Sequence, residues 1–285
     1  MDTSLPSPPF VEVPGVHNFR GIGGDHAGPG LVFRSADPSK ATRAGLEKMS
    51  QDLGKWPGSL NGLLPAGIRV IFDLRSTPEI KRDGPEWAGV APEDIDIFQP
   101  YGIKREWVPV FAEKDYGPDQ VALRYKEYTR AGSDGFVKAY HDILLNAPQA
   151  YGKILRHLAQ DKPSPCLVHC TAGKDRTGVL VALLLMLAGA PSNETSNEYA
   201  LTDLGLAPLR ALFIERLLKN PALEGNAEGV SNMVSSKPEN MRATQEMIER
   251  DFGGAQAYMT KYCGLSDDEV ERVRKNITDG AIANL

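Results

Sequence analysis

The chain has 285 residues but only three cysteines, Cys166, Cys170 and Cys263. An odd count excludes a fully paired disulfide framework, and the spacing fits no zinc-ligand pattern. Cys166 and Cys170 fall on one extended segment, where four residues span about 13 Å, too far to bridge. The expectation is a reduced, cytoplasmic chain. Histidine is scarce too, and His17, His26, His141 and His157 form no ligand cluster, so no metal is expected. There is no excess of basic charge: 32 Lys+Arg against 37 Asp+Glu leave a formal net charge of -5. That argues against a nucleic-acid partner but leaves an anionic substrate open, because local charge governs a cleft. A membrane-spanning run is also missing, since the apolar stretch 179–190 is too short and fits a buried helix. The opening MDTSLPSPPFVEVPG has no basic or apolar leader region, so no secretory signal is expected.

What is present alternates between strand-like and helix-like segments. Short strands are predicted at 16–19 and 31–34, separated by the turn-rich GIGGDHAGPG, and a helix at 42–52. IRVIFDLR at 68–75 reads as a buried strand and 95–99 as a further one. Helices are predicted over 120–131 and 136–159, a strand at 166–169, and a helix over 176–188. Ser192 is placed as the cap of a helix at 193–203. Leu209, Leu212, Phe213 and Leu217 form a helical stripe over 208–219. Three closing helices are predicted at 239–252, 254–262 and 266–276. No repeat or long linker divides the chain, so one α/β domain over 1–285 with a helical C-terminal layer is expected. Residues 1–14 form a lead-in, in which Pro6 to Pro9 read either as a polyproline ligand or as an extended approach to the first strand.

The densest chemistry is in VHCTAGKDRTG, residues 168–178. A strand ending at His169, a loop through Gly173 and a helix starting near Arg176 aim several backbone N–H groups into one concave space, a nest for a tetrahedral anion. Cys170 sits at its base. The N–H groups, the helix dipole, Arg176 and His169 all favour a thiolate. A free thiol is only about 3% ionised at pH 7, so full ionisation gains about 30-fold, or about 2 kcal/mol. Most of the catalysis must come from elsewhere. Arg176 is the source, because its planar fork can hold two equatorial phosphoryl oxygens as charge spreads over them.

Cys-x5-Arg-Thr resembles the signature of the cysteine-dependent phosphatases. The resemblance implies that Cys170 attacks phosphorus and forms a phosphocysteine, and that Arg176 binds the phosphate and the transition state. Thr177 would hydrogen-bond the sulfur as leaving group, and His169 would hold the loop. Thr171, Ala172, Gly173, Lys174 and Gly178 complete the substrate-binding loop, with no metal or cofactor. HNFRGIGG at 17–24, RSA at 34–36, FDLRSTPE at 72–79, EYALTDLGL at 198–206 and the tail 252–274 resemble, in order, the family typified by mycobacterial protein tyrosine phosphatase B. Gly21 stands where that family has an aspartate. The implied fold is a central mixed, mostly parallel sheet flanked by helices, with a helical lid at 192–237 or, equally, a packed helical subdomain there.

The general acid is open between two carboxylates. Trp56-Pro57 is followed by Gly58 and Trp107-Val108-Pro109 by Val110, so no Trp-Pro-Asp loop supplies it. The resemblance points to Asp175, which could instead only cap the helix. Asp73 is the second candidate, or a partner that positions Arg75 or Arg176. Lys174 matches phosphatases that also take phosphoinositides, and could equally be a solvated lysine. Arg20, Arg34 and Arg75 are expected near the rim, binding substrate or pairing with Asp73 and Glu79. A phosphorylated protein is the expected substrate, with a phosphoinositide or inositol phosphate as the alternative. A silent phosphate-binding module is disfavoured because both Cys170 and Arg176 are present. A sulfur-transfer enzyme is disfavoured by the Arg176-Thr177 pair at a helix start.

Overall fold

Five short strands carry the fold: β1 (Arg20–Gly21), β2 (Val32–Ser35), β3 (Val70–Asp73), β4 (Lys104–Trp107) and β5 (Cys166–His169). The structure is a computed structural model and describes residues 5–51, 53, 67–83, 90–111 and 118–279. The sheet order is β1-β2-β5-β3-β4, with β1 antiparallel and the remaining pairs parallel. The last residues of the parallel strands are in register, with His169 beside Ser35 on one side and Asp73 on the other, and Trp107 beside Asp73. Parallel sheets present their ligand sites at this carboxyl edge.

Side chains alternate across the sheet, as strand geometry requires. Val32, Phe72, Cys166 and Val168 face the larger apolar core, and Phe33, Ile71 and Leu167 face the smaller one. The smaller core is closed by α1 (Arg43–Gln51) and by Phe98 and Ile103; α2 (Thr77–Asp83) follows β3. The larger core is closed by α3 (Pro118–Tyr128), α4 (Asp134–Asn146), α5 (Pro148–Leu158), α6 (Asp175–Leu187), α10 (Pro238–Phe252), α11 (Gly254–Lys261) and α12 (Asp267–Thr278). Residues 176–185 of α6 are all buried, which explains a helix apolar on every side. Between α6 and α10 lie α7 (Ser192–Gly205), α8 (Arg210–Leu218) and α9 (Ala227–Met233). None of these described helices is long and apolar enough to cross a membrane.

Several boundaries depart from expectation. Segment 16–19 is not a strand: only Val16 bridges, to Val13, and Asn18 adopts φ 58° and turns the chain, so pairing with β2 starts at Arg20. Segment 95–99 is a turn, because the Asp96 carboxylate accepts from Phe98 N at 2.8 Å and Gln99 N at 3.0 Å. The edge strand is instead the polar KREW of β4. The helix expected over 136–159 is two, broken at Ala147 where Pro148 starts α5. Ser192 is the first residue of α7 and makes no cap, and Pro191 precedes it. Pro6 does not lead in extended: its carbonyl accepts from Phe10 N at 3.1 Å, closing a turn. Trp56-Pro57-Gly58 lies outside the described residues.

Candidate active site

The loop after β5 gains its shape from what holds its carbonyls. Thr171 O accepts from Asp37 N at 3.1 Å, and Ala172 O from Asn18 Nδ2 at 3.1 Å. Gly173 O accepts from Arg34 Nη2 at 2.6 Å, and Lys174 O from Gly178 N at 2.9 Å. Successive carbonyls are thus turned away, and among the described residues no acceptor takes the backbone N–H groups of Thr171, Ala172, Gly173, Lys174 or Asp175. These N–H groups, at the start of α6, are the donors of an anion nest. Gly173 is required twice over: its φ is +64°, and a Cβ there would collide with the Ser35 carbonyl. Cys170 lies in this loop, buried at 2% exposure.

Arg176, in the first turn of α6, meets Glu79 and not Asp73. Its two terminal nitrogens donate to the two Glu79 oxygens, each at 2.6 Å, and Nη1 also reaches Leu74 O at 3.3 Å. Glu79 further accepts from Thr171 Oγ1 at 2.6 Å and Ser76 N at 2.9 Å. Burial opposes its ionisation, but Arg176 and these donors outweigh burial and bring the carboxyl down to about 2. The Ser76-Thr77-Pro78-Glu79 spacing, a capping-box pattern at the start of α2, is the sequence signal for this residue. The Tyr151 hydroxyl fixes the backbone beneath Arg176, donating to its carbonyl at 2.6 Å. Thr177 Oγ1 is buried with no partner among the described residues.

Asp73 is the centre of a separate, buried cluster. It accepts from Arg75 Nε at 3.0 Å and Nη2 at 2.8 Å, and from Arg105 Nη2 at 2.8 Å, and lies 3.6 Å from His169 Nε2. Burial raises such a carboxyl, yet the surrounding cations hold it well below the usual range. An ionised, saturated carboxylate cannot donate a proton, which weighs against Asp73 as the acid. Arg75 pairs with Asp73 and Asp37 and is 4% exposed, so it braces the strand ends. His169 is pushed down, first by burial, with the Asp73 charge acting against that; its Nδ1 lies 3.1 Å from Cys170 O. Through that contact its support for Cys170 is positional.

Arg20 and Arg34 are likewise removed from the rim. Both are fully buried and share Glu198 of α7, at 2.8 Å and 2.5 Å. Arg20 also donates to Thr202 Oγ1 at 3.0 Å and to Asn18 Oδ1. Burial, together with the Arg34 charge, brings Arg20 down to about 10, still charged at neutral pH. Neither can contact a substrate without breaking this cluster. Glu198, inside EYALTDLGL, is the residue that reading the motifs did not single out.

Asp175 is the first residue of α6 and makes no cap bond; Lys174 occupies the cap position. Its Oδ1 accepts from the Tyr140 hydroxyl at 2.8 Å and lies 3.4 Å from Lys174 Nζ. Lys174 is neither solvated nor directed at the nest. It is 4% exposed, and its ammonium donates to Met233 O and, at 3.2 Å, to Ser235 O, past the end of α9. The 192–237 segment therefore divides: α7 is a core helix bound through Glu198, α8 has no buried residue, and the end of α9 reaches the loop.

The model of the tyrosine phosphatase family matches residues 11–279. The triple specificity protein phosphatase PtpB of Mycobacterium tuberculosis is similar at 26% identity, over 92% of this chain and 97% of that protein. A tyrosine-protein phosphatase of Nostoc commune is similar at 27% identity, over 86% of this chain and 79% of that one.

Proposed function

The chain belongs to the tyrosine phosphatase family, and on that premise we propose that it hydrolyses phosphotyrosine in proteins through a phosphocysteine at Cys170. The observation that carries this reading is the loop itself: a cysteine, five N–H groups that no acceptor among the described residues takes, and a forked arginine, all leading into one helix. The phosphoryl group sits in the nest, with two oxygens on Arg176. The Cys170 thiolate attacks phosphorus in line as the P–O bond to the leaving group breaks, and Asp175 gives its proton to the departing oxygen. Water then attacks phosphorus, Asp175 takes its proton, and the S–P bond breaks with the Thr177 hydroxyl donating to the sulfur. Glu79 holds the Arg176 fork in the plane where it meets the equatorial oxygens.

Protein substrates are favoured over phosphoinositides, because Lys174, the feature specific to the latter, is engaged by the Met233 and Ser235 carbonyls at the end of α9. The three buried, unpaired cysteines suit a reducing compartment, the cytoplasm. Hydrolysis of a phosphotyrosine peptide in the presence of a chelator tests the class: wild type turns over and Cys170→Ser does not. A wild-type protein without turnover contradicts it. Parallel assays with phosphoserine peptide and phosphoinositide vesicles define the range. For the acid, Asp175→Asn slows esters with poor leaving groups far more than those with good ones, and equal losses contradict that role.

A further inference from the structure

Asp175 has two oxygens, and the structure treats them differently. Oδ1 is taken by the Tyr140 hydroxyl at 2.8 Å, with Lys174 Nζ at 3.4 Å. Tyr140 belongs to α4, across the core from the loop, and is fully buried. Its hydroxyl lies 2.7 Å from that of Tyr199 on α7, which is 1% exposed. Tyr140 has one proton and spends it on the carboxylate, so Tyr199 donates to Tyr140, and the chain runs Tyr199 to Tyr140 to Asp175. Burial, and then the charge of Asp175, pushes both hydroxyls well above their ordinary value, so both remain donors. The ring cannot swing. It packs edge-on against Phe136, Tyr128 and Tyr199, with centroids 5.9, 6.2 and 6.3 Å away.

We propose that Tyr140, braced by Tyr199, is a positioning residue that occupies Oδ1 of Asp175 and so leaves Oδ2 as the oxygen that carries the catalytic proton. The inference rests on the reading of Asp175 as general acid. In the first step the Oδ2 proton passes to the ester oxygen as the S–P bond forms and the P–O bond breaks. In the second, Oδ2 accepts the proton of the attacking water as the S–P bond breaks. Oδ1 keeps the Tyr140 hydrogen bond throughout, so the carboxyl does not rotate between the steps. Geometry of this kind raises kcat without strengthening ground-state binding.

The test is Tyr140→Phe, which keeps the ring and removes only the donor. With an alkyl phosphate, kcat falls about 10-fold or more while KM is unchanged, and with nitrophenyl phosphate kcat stays within about 2-fold. Tyr199→Phe shows the same selectivity at smaller size. Tyr258→Phe is the control: it deletes a buried hydroxyl that donates to Leu144 O at 2.7 Å, on the same helix as Tyr140, and leaves both substrates alike. An equal loss on both esters in Tyr140→Phe, or no loss on either, overturns the proposal. Asp175→Asn is measured alongside. If it lacks leaving-group dependence, the acid assignment itself fails. If it has that dependence while Tyr140→Phe and Tyr199→Phe do not, only the positioning role fails.

Discussion

Two clusters of buried ions flank the phosphate loop: Glu79 with Arg176 on one side, and Glu198 with Arg20 and Arg34 on the other. Both set guanidinium groups against a single carboxylate, and in both the cations outweigh burial and hold the carboxyl low. They differ in where the arginine comes from. Arg176 belongs to the loop and keeps 8% exposure, whereas Arg20 and Arg34 come from β1 and β2 and have none. The Glu198 cluster grips loop carbonyls from behind, through Arg34 and through Asn18, the residue bonded to Arg20. The Glu79 cluster holds the Arg176 guanidinium by both terminal nitrogens at the start of α6. Charge at the strand ends is thus divided between shaping the nest and serving it.

Breaking the front cluster has the largest effect on catalysis. Arg176→Lys keeps the charge but loses the fork, so kcat falls by about a hundredfold to a thousandfold while the fold persists by circular dichroism. Breaking the rear cluster acts on stability. Glu198→Gln leaves two buried guanidiniums without their anion and costs about 3–5 kcal/mol in urea unfolding, with turnover per folded molecule retained.

The outline of this division was legible in the residues, and so was the Arg75–Asp73 pair, but the partners of Arg176, Arg20 and Arg34 were not. Strand β5, the loop and α6 follow from VHCTAGKDRTG and the apolar run behind it, because an anion nest and a fully buried helix leave local signatures. Which carboxylate meets Arg176 depends on how α2 leaves β3. Asp73 and Glu79 share one motif, and only the turn at Ser76 aims Glu79 back at the loop. Glu198 and Tyr199 open the EYALTDLGL motif, but their partners lie 20 or more residues away in the chain and nothing local names them, and no motif holds Tyr140. The polar edge strand β4 has little apolar alternation to reveal it. The turn at 95–99 carried the stronger apolar signal, and the Asp96 side chain overrode it.

Smaller effects sharpen the contrast. Glu79→Gln lowers kcat about 10-fold by freeing the fork, and it also changes the acid response. The Glu79 carboxyl is depressed from 4.5 to about 2 on folding. Its contribution to stability is therefore complete above pH 4.5 and lost as pH falls to about 2. The difference in urea midpoint between wild type and Glu79→Gln shrinks over that window. A difference independent of pH contradicts the linkage. Lys174→Met has the smallest effect: amide exchange in residues 230–236 speeds up while kcat on phosphotyrosine peptide stays close to wild type. A large loss of kcat without faster exchange would put Lys174 on the substrate.

The account turns on Cys170 forming a bond to phosphorus within the nest. Rapid quenching of the enzyme into denaturant during turnover of an aryl phosphate, followed by intact mass and peptide mapping, tests this directly. The predicted result is a single phosphoryl group on the peptide containing Cys170 and none on Cys263, a thiol that burial pushes up to about 12. The Cys170→Ser protein carries no phosphoryl group and does not turn over. Turnover that persists in Cys170→Ser, or a phosphoryl group that maps to another residue, would contradict it.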